Sequence, residues 1–452
     1  MPRTSSQLRD DAIAIWTAGV EAVKSERLIR DTVRLEAGTL IVGDQRLVLA
    51  EVERIVVVGA GKAGAGMAAA MEEVLGPQLA AAHQLSGWVN VPADCVRPLE
   101  HITLHAARPA GVNEPTEAGV QGARQILELI GSLGPRDVCF CLLSGGGSAL
   151  LPAPVISLAD KQAVTRQLSG AGANIDQLNT VRKQLSRIKG GGLARACGAG
   201  KLFALIISDV TGDPLDIIAS GPTVPDGSTP AAALVVLKQF GSRAGGVPES
   251  VFEYLASKSD QLAPPPTCQV HNLIIGNNAR AVTAAAARAS ELGYQVQASP
   301  AEQAEGQAEA LGREIARRAV QLRASGGDQC LISGGEPVVT LPPTENRGRG
   351  GRNQQLVLAA AIELVQDSAQ GMAILSGGTD GEDGPTDAAG ALLTADVLAA
   401  GLAKQLDFAD FLARCDAYHF FEQLDALLQT GPTHTNVMDV RVVVTSSDAA
   451  SG

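Results

Sequence analysis

The feature that most constrains this chain is an alternation. Short β-branched or apolar runs trade places with Ala- and Leu-rich helical segments along most of its length, beginning with RIVVVG at 54–59 and AGAGMAAAMEEVL at 63–75. Apolar runs of this kind suit strands covered on both faces, and strands that alternate with helices build βαβ units and parallel sheets. Further strands are expected at LSGWVNV from 85, DVCFCLLSGG from 137, LFALIISD from 202, HNLIIGN from 271, QCLISGG from 329, GMAILSGG from 371 and RVVVT from 441. The expected class is therefore α/β, and 452 residues call for more than one domain. Pro/Gly-rich stretches between Pro222 and Pro266 place the break near 240, giving domains over 1–240 and 241–446, with SSDAASG at the end as a frayed tail.

Composition narrows the partners. A net charge of −12 opposes generic attraction to nucleic acid or an anionic membrane, and 3% aromatics leave few platforms for stacking bases. Any anionic substrate must then meet a local cationic site. Seven cysteines without a C-x-x-C, several inside apolar runs, read as buried thiols in a reducing compartment. The opening MPRTSSQLRDDAIAIW lacks the basic-then-apolar design of an export signal, and no apolar stretch is long enough for a membrane span, so the cytoplasm is expected.

Glycine, at 50 residues, clusters where strands end. Three strands close on the same word: LLSGGGSALL at 142–151, LISGGEPVVTL at 331–341 and ILSGGTDGEDG at 374–384. Each copy can be a tight strand exit, but three point to ligands approaching backbone N–H groups at the carboxyl ends of strands. GAGKAG at 59–64 fits G-x-G-x-x-G after a strand and before a helix. A dinucleotide turn also needs a carboxylate about 20 residues on. LSGWVNV ends instead at Asn90 and Val91, and Lys62 inside the turn favours a phosphate or carboxylate ligand over NAD.

NTVRKQLSRIKGGG at 179–192 reads as one helix with Val181, Leu185 and Ile188 buried and Arg182, Ser186 and Lys189 on the next stripe, two cations on one face. Asp209, Asp213 and Asp216 follow one strand, and Asp380, Glu382, Asp383 and Asp387 crowd the loop after another. Such carboxylates either cap their own turns or hold Mg²⁺ with phosphate and water. ENRGRGGRNQQLVLAAAIEL at 345–364 joins a Gly/Arg loop to a helix with Asn353 as expected N-cap, offering Arg347, Arg349 or Arg352 to an anion. The six histidines show no zinc spacing, HITLH at 101–105 looks strand-like, and Ser144 and Ser148 lack a G-x-S-x-G elbow.

These motifs, with LIIGNNARA and GPTHTNVMDV, together resemble the glycerate 2-kinases of the MOFRL type, also labelled hydroxypyruvate reductase of tartrate degradation, over about 50–440. The resemblance implies a larger Rossmann-like N-terminal domain, a smaller C-terminal domain and an active site in the cleft between them. It implies Mg²⁺-dependent transfer of the ATP γ-phosphoryl to the 2-hydroxyl of D-glycerate, with Lys62 and Arg352 at catalytic positions. ARPAGVNEPTEAG at 107–119 departs from the family pattern, and Asn113 and Glu114 stand where a substrate contact is expected.

The expected assignment follows. Lys62 and Arg352 serve the transferring phosphoryl, Asp209 and Asp380 orient the hydroxyl or hold Mg²⁺, and Asp213 and Asp383 complete the metal set. Gly61, Ser144, Gly145, Gly146, Gly147 and Ser148 cradle phosphate or the glycerate carboxylate with Asn179, Arg182 and Lys189, as do Ser376, Gly377 and Gly378. The competing readings are an NAD(P)H-dependent hydroxypyruvate reductase, carried by the literal G-x-G-x-x-G, and a non-catalytic nucleotide or sugar-acid sensor. Whether the chain forms a homodimer is open at this level.

Overall fold

The computed structural model describes residues 2–109, 111–112, 114–240, 246–258 and 260–447. The chain forms two compact units, Ser25–Ile275 and the remainder, in which the first 24 residues join the part from Gly276 onward. The division thus falls at 275/276, not near 240, and residues 241–245 at the expected break lie outside the described residues. The opening helix Ser5–Ala22 explains the first segment's allegiance. Thr4 starts it with a capping box to Gln7, and its buried face delivers Trp16, whose Nε1 donates to the Gly377 carbonyl.

The larger unit opens with a meander of β1 (Val33–Glu36), β2 (Thr39–Val42) and β3 (Gln45–Val48), turned at Gly38 and Gly43 with φ of 77° and 62°. Its main sheet holds β4 (Ile55–Ala60), β5 (Ser86–Pro92), β6 (Ile102–Arg108), β7 (Val138–Leu143), β8 (Lys201–Ile207) and β9 (Gln269–Gly276). The spatial order is β6-β5-β4-β7-β8-β9, and the β4–β5, β5–β6, β4–β7 and β7–β8 pairs are parallel. This is the doubly wound order 3-2-1-4-5-6, which leaves a crevice where the winding reverses, outside the carboxyl ends of β4 and β7. The strands are continuous apolar runs because helices cover both faces. β4 and β7 are buried at every residue, and Val56, Val58, Cys139 and Cys141 share one core with Ile126 and Ile130 of helix Glu117–Gly131.

The second unit is α/β too, but its sheet is mixed. β10 (Gln295–Ser299), β11 (Gly327–Gly335), β12 (Met372–Gly378), β13 (Gly390–Thr394), β14 (Leu427–Leu428) and β15 (Asp439–Ser447) lie in the order β10-β11-β15-β12-β13-β14. Only β10–β11 is parallel: β15 inserts antiparallel between β11 and β12, and β12–β13 and β13–β14 are antiparallel too. The expectation of parallel sheets holds for the first unit alone. A buried run such as RVVVT looks the same in either direction, so its hydropathy carries no information about sense. Among the described residues no helix is long and apolar enough to cross a membrane.

Candidate active site

Two glycine-lined loops meet at the crevice of the larger unit. From Gly59, the next-to-last residue of β4, the chain turns through Gly61 into helix Gly64–Ala82, the two glycines at φ of 155° and 148°. After β7 it turns through Ser144–Gly147. The Lys62 N–H donates to the Gly145 carbonyl at 2.9 Å, the Ala63 N–H to Ser144 Oγ at 3.0 Å, and the Ser144 N–H to the Ala60 carbonyl. A Cβ on Gly61 would stand 2.0 Å from Ser144 Oγ, and one on Gly59 2.0 Å from the Leu142 carbonyl oxygen. The turn's glycines therefore admit the neighbouring loop. Asn90, where a dinucleotide site wants a carboxylate, is buried with its amide donating to the Leu150 carbonyl and accepting from Trp88 Nε1.

Behind the Ser144–Gly147 turn stands a cluster of cations. Lys189, 1% exposed, donates to Ser148 O, Ser148 Oγ (2.6 Å) and Ser220 Oγ (3.1 Å), while Arg182 Nη2 donates to Ser148 Oγ at 2.8 Å. Two incoming donors fill the lone pairs of Ser148 Oγ, so its own proton goes to Ser220 Oγ, 3.0 Å away. Burial lowers the Arg182 pKa, and burial with the charges of Arg182 and Lys161 holds Lys189 well below the ordinary lysine range. Ser220 is presented by a strained backbone in which Ala219, Ser220 and Gly221 all have positive φ.

The helix carrying Arg182 spans Ile175–Gln184 and stops there, so Lys189 does not share its face. Leu185 is its C-cap, and in the turn beyond it the Ser186 hydroxyl takes the N–H groups of Ile188 and Lys189. Lys189 reaches Ser148 from that turn. Asn179 lines a cavity of about 320 Å³ with Lys183, Asp216 and Asp226. Asp209 leaves the carboxyl end of β8 on the same sheet edge as both glycine loops, with Asp213 four residues on at φ 54°. Arg108, at the carboxyl end of β6, lies buried beside Gly146, where an added Cβ would meet its Nη2 at 2.9 Å, and it donates to the Val112 carbonyl. Asn113 is outside the described residues.

In the second unit Arg352 is the first residue of helix Arg352–Glu363, and Gly351 rather than Asn353 is its N-cap. The capping comes from elsewhere. The buried Asp383 carboxylate accepts from the N–H groups of Asn353 (3.0 Å) and Gln354 (2.8 Å) and from Asn353 Nδ2. Desolvation lifts its pKa to about 7 in spite of those bonds. Arg352 is held by Asp439, Nε to Oδ2 at 2.6 Å and Nη2 to Oδ1 at 2.9 Å, and by Glu336 at 3.0 Å. Burial pulls its pKa down, but the Asp439, Glu336 and Asp383 carboxylates outweigh that and raise it. Burial and the charges of Asp439 and Asp380 raise the Glu336 pKa against the pull of Arg352. Asp380 accepts from the Glu382 N–H. Among the described residues no three His, Cys, Asp or Glu side chains converge as a ready-made metal cage.

The three SGG copies do different work. Gly377 leaves room for Trp16, Gly378 for the Glu382 carbonyl, and Gly334 for Asn278, whose amide donates to the Val437 and Asp439 carbonyls. Ser376 is buried and donates to Asn353 Oδ1. The copy at 144–147 is the one beside the cations. Sequence reasoning missed Arg108, Lys161 and Ser220. Arg108 ends a strand, a position worth reading; Lys161 sits in an ordinary helical stretch, and Ser220 gave no signal.

Residues 11–256 match a family described as a domain of unknown function (DUF4147), and residues 329–439 match the MOFRL family. The chain is 37% identical over 502 aligned positions to a Danio rerio protein named glycerate kinase, covering 97% of this chain and 98% of that one. It is 39% identical to an Agrobacterium vitis protein named putative hydroxypyruvate reductase, covering 86% and 87%. A crystal structure of a Thermotoga maritima glycerate kinase superposes with a TM-score of 0.82 at 34% identity, covering 97% of this chain and 100% of that one.

Proposed function

The chain belongs to the MOFRL-type glycerate kinase family, and on that premise we propose that it transfers the γ-phosphoryl group of ATP to the 2-hydroxyl of D-glycerate, giving 2-phosphoglycerate and ADP, with Mg²⁺ as the accompanying cation. The observation that carries the reading is the edge of the larger unit's parallel sheet. There Lys62, the Ser144–Ser148 loop, Arg182 and Lys189 offer an acidic protein's anionic substrates a cationic, amide-rich crevice.

Phosphoryl transfer asks a protein mainly for positioning and charge stabilisation. Lys62 and the Gly145 and Gly146 amides bind phosphoryl oxygens, the Gly61 and Gly147 N–H groups being spent on the Asn90 and Ser144 carbonyls, and Arg182 binds the acid, braced by Ser148 and Lys189. Asp209, on the same edge, orients the 2-hydroxyl and takes its proton as the oxygen attacks phosphorus. Arg352 supplies a fixed guanidinium to the phosphoryl charge, since three of its five N–H donors are spent on Asp439 and Glu336 and two remain. A bound Mg²⁺ would supply charge neutralisation to the phosphates. The donors suit it: oxygen ligands around Arg352, with carboxylates in excess. Mg²⁺ takes one or two carboxylates plus phosphate and water. Asp383 and Asp439 spend their oxygens on N–H donors, so in this reading the metal role passes to Asp380 and Glu336, with Asp213 as a further candidate.

The reductase reading would need the Gly59–Gly64 turn to receive a pyrophosphate, yet Ser144 and Leu142 occupy the space those glycines leave, and β5 ends without a ribose-binding carboxylate. The seven unpaired cysteines accord with a cytoplasmic setting, and the negative charge with small-molecule partners rather than nucleic acid. Parallel assays separate the readings: ADP release from ATP dependent on D-glycerate supports the kinase. Oxidation of NADH or NADPH by hydroxypyruvate, without such ADP release, refutes it.

A further inference from the structure

Lys161 lies on helix Leu158–Gly170, 3% exposed, and its Nζ has no hydrogen-bond partner among the described residues. A buried ammonium without an acceptor is among the costlier things a fold can carry. The neighbours do not relieve it. Asp160 turns its carboxylate to the Ser250 hydroxyl at 2.7 Å, and Gln162 is tied to the Pro115 carbonyl, which fixes the helix on both sides of Lys161. The charges that do reach Lys161 are like charges, Arg182 and Lys189, and neither of those makes an ion pair among the described residues. Next in sequence to Arg182, Lys183 shows the ordinary solution, lying 3.5 Å from both Asp216 and Asp226. Arg182 and Lys189 thus meet at Ser148, Lys161 lies within reach of their charges, and among the described residues none of the three has a carboxylate of its own.

We propose that Lys161, with Arg182 and Lys189, forms a buried subsite that seats the carboxylate of the acceptor substrate and selects acidic acceptors over neutral polyols. This rests on the kinase reading for the identity of the acceptor. The missing counter-ion is the ligand's: Lys189 is saturated by Ser148 and Ser220, whereas Lys161 has its donors unspent and Arg182 gives Ser148 only one hydrogen bond. A carboxylate is preferred to a nucleotide phosphate because cations this deeply buried favour a small anion that can shed its water, and a polyphosphate chain cannot. Lys161 is then a specificity-determining residue whose own burial is the cost of function, relieved when substrate arrives.

The test uses the full-length protein and three probes, D-glycerate, glycerol and inorganic phosphate, titrated calorimetrically, with steady-state kinetics alongside. Wild type should bind D-glycerate about tenfold or more tightly than glycerol, since a site built for a charged group rejects the analogue that lacks it. Lys161→Met should lose about tenfold or more in D-glycerate affinity and raise its KM in step while KM for ATP stays within about threefold, and Lys161→Arg should recover most of the loss. Thermal unfolding without ligand separates a structural role: Lys161→Met should unfold at or above the wild-type temperature because an unpaired buried charge has gone. Wild-type D-glycerate binding by Lys161→Met overturns the proposal, as does a loss that falls on ATP or inorganic phosphate instead. Should Lys161→Met fail to fold, Arg182→Met carries the same prediction for D-glycerate. D-glycerate binding that depends on Lys161 in a protein that does not phosphorylate it would sink the kinase reading and leave the subsite standing.

Discussion

Arg352 is clamped by Asp439. The guanidinium Nε and Nη2 lie 2.6 and 2.9 Å from the two oxygens of a carboxylate that is fully buried at the start of β15. The fork-to-fork geometry fixes the plane of the guanidinium as well as its position, which a lysine in its place could not match.

Removing the guanidinium should therefore be severe and replacing it should not help. Arg352→Ala is expected to lower kcat by about 10³-fold, in the range of arginine clamps on phosphoryl groups, and Arg352→Lys to recover little. Asp439→Asn keeps the residue but loosens the clamp, and should cost about 10²-fold or less, as misplacement does. Steady-state kcat on folded variants checks all three, and near-wild-type turnover by Arg352→Ala would remove it from the mechanism.

Asp383 is a structural anchor for that helix, with a pH signature. Asp383→Ala should lose about 1–2 kcal/mol by stripping the start of helix Arg352–Glu363 of its acceptor, measured by urea unfolding. Its folded pKa is raised to about 7 from 3.8. The native state therefore holds this proton more tightly than the unfolded chain, so the contribution is full below about 3.8 and is lost as pH rises through about 7. Asp383→Asn should remove this part of the pH dependence of stability, and an unchanged profile would refute the assignment.

The loop junction is sterically closed. Gly61→Ala places a methyl 2.0 Å from Ser144 Oγ at a backbone φ of 148°, so it should destabilise by about 1–3 kcal/mol and depress turnover. Gly170→Ala, where nothing lies within 4 Å, should stay within about 0.5 kcal/mol of wild type. Equal thermal shifts in the two variants would contradict the described junction.

The lysines of the cationic cluster should respond in opposite directions. Lys189 satisfies three oxygens, so Lys189→Met should cost about 1–3 kcal/mol by orphaning Ser148 and Ser220. Lys161, with no acceptor, should not. Its pKa, lowered to about 8 by burial and then by Arg182, also means that stability rises as pH climbs from about 8 toward 10.5, because the unfolded chain then holds the extra proton. Lys161→Met should flatten that rise in urea midpoints.

Much of the fold was legible because its signals are local. The runs at 54–59, 137–143 and 202–207 are long and apolar, the first two running straight into glycine turns and the third into Asp209, and they become β4, β7 and β8 at the crevice. Sheet direction was not legible: β15 enters between β11 and β12 antiparallel, and only the partners, far apart in sequence, reveal it. In the site, Lys62 and Lys189 announced themselves as cations beside glycine, and Arg182 by its spacing from Lys189. The periodicity that joined Arg182 and Lys189 in one helix runs past the helix end, since Leu185 caps it and the turn beyond is held by the Ser186 hydroxyl. The role of Asp383 was hidden because its partners, the N–H groups of Asn353 and Gln354, are backbone atoms thirty positions away. Lys161 gave no sign, since an unpaired charge is a property of surroundings and not of sequence.

The most direct test of the central claim is the identity of the phosphorylated product. Purified protein incubated with D-glycerate, ATP and Mg²⁺ is read through enolase, which accepts 2-phosphoglycerate and not 3-phosphoglycerate. The account predicts an enolase signal that needs no mutase and disappears with a chelator. A product that reaches enolase only after a mutase is added, or no product at all, would contradict it.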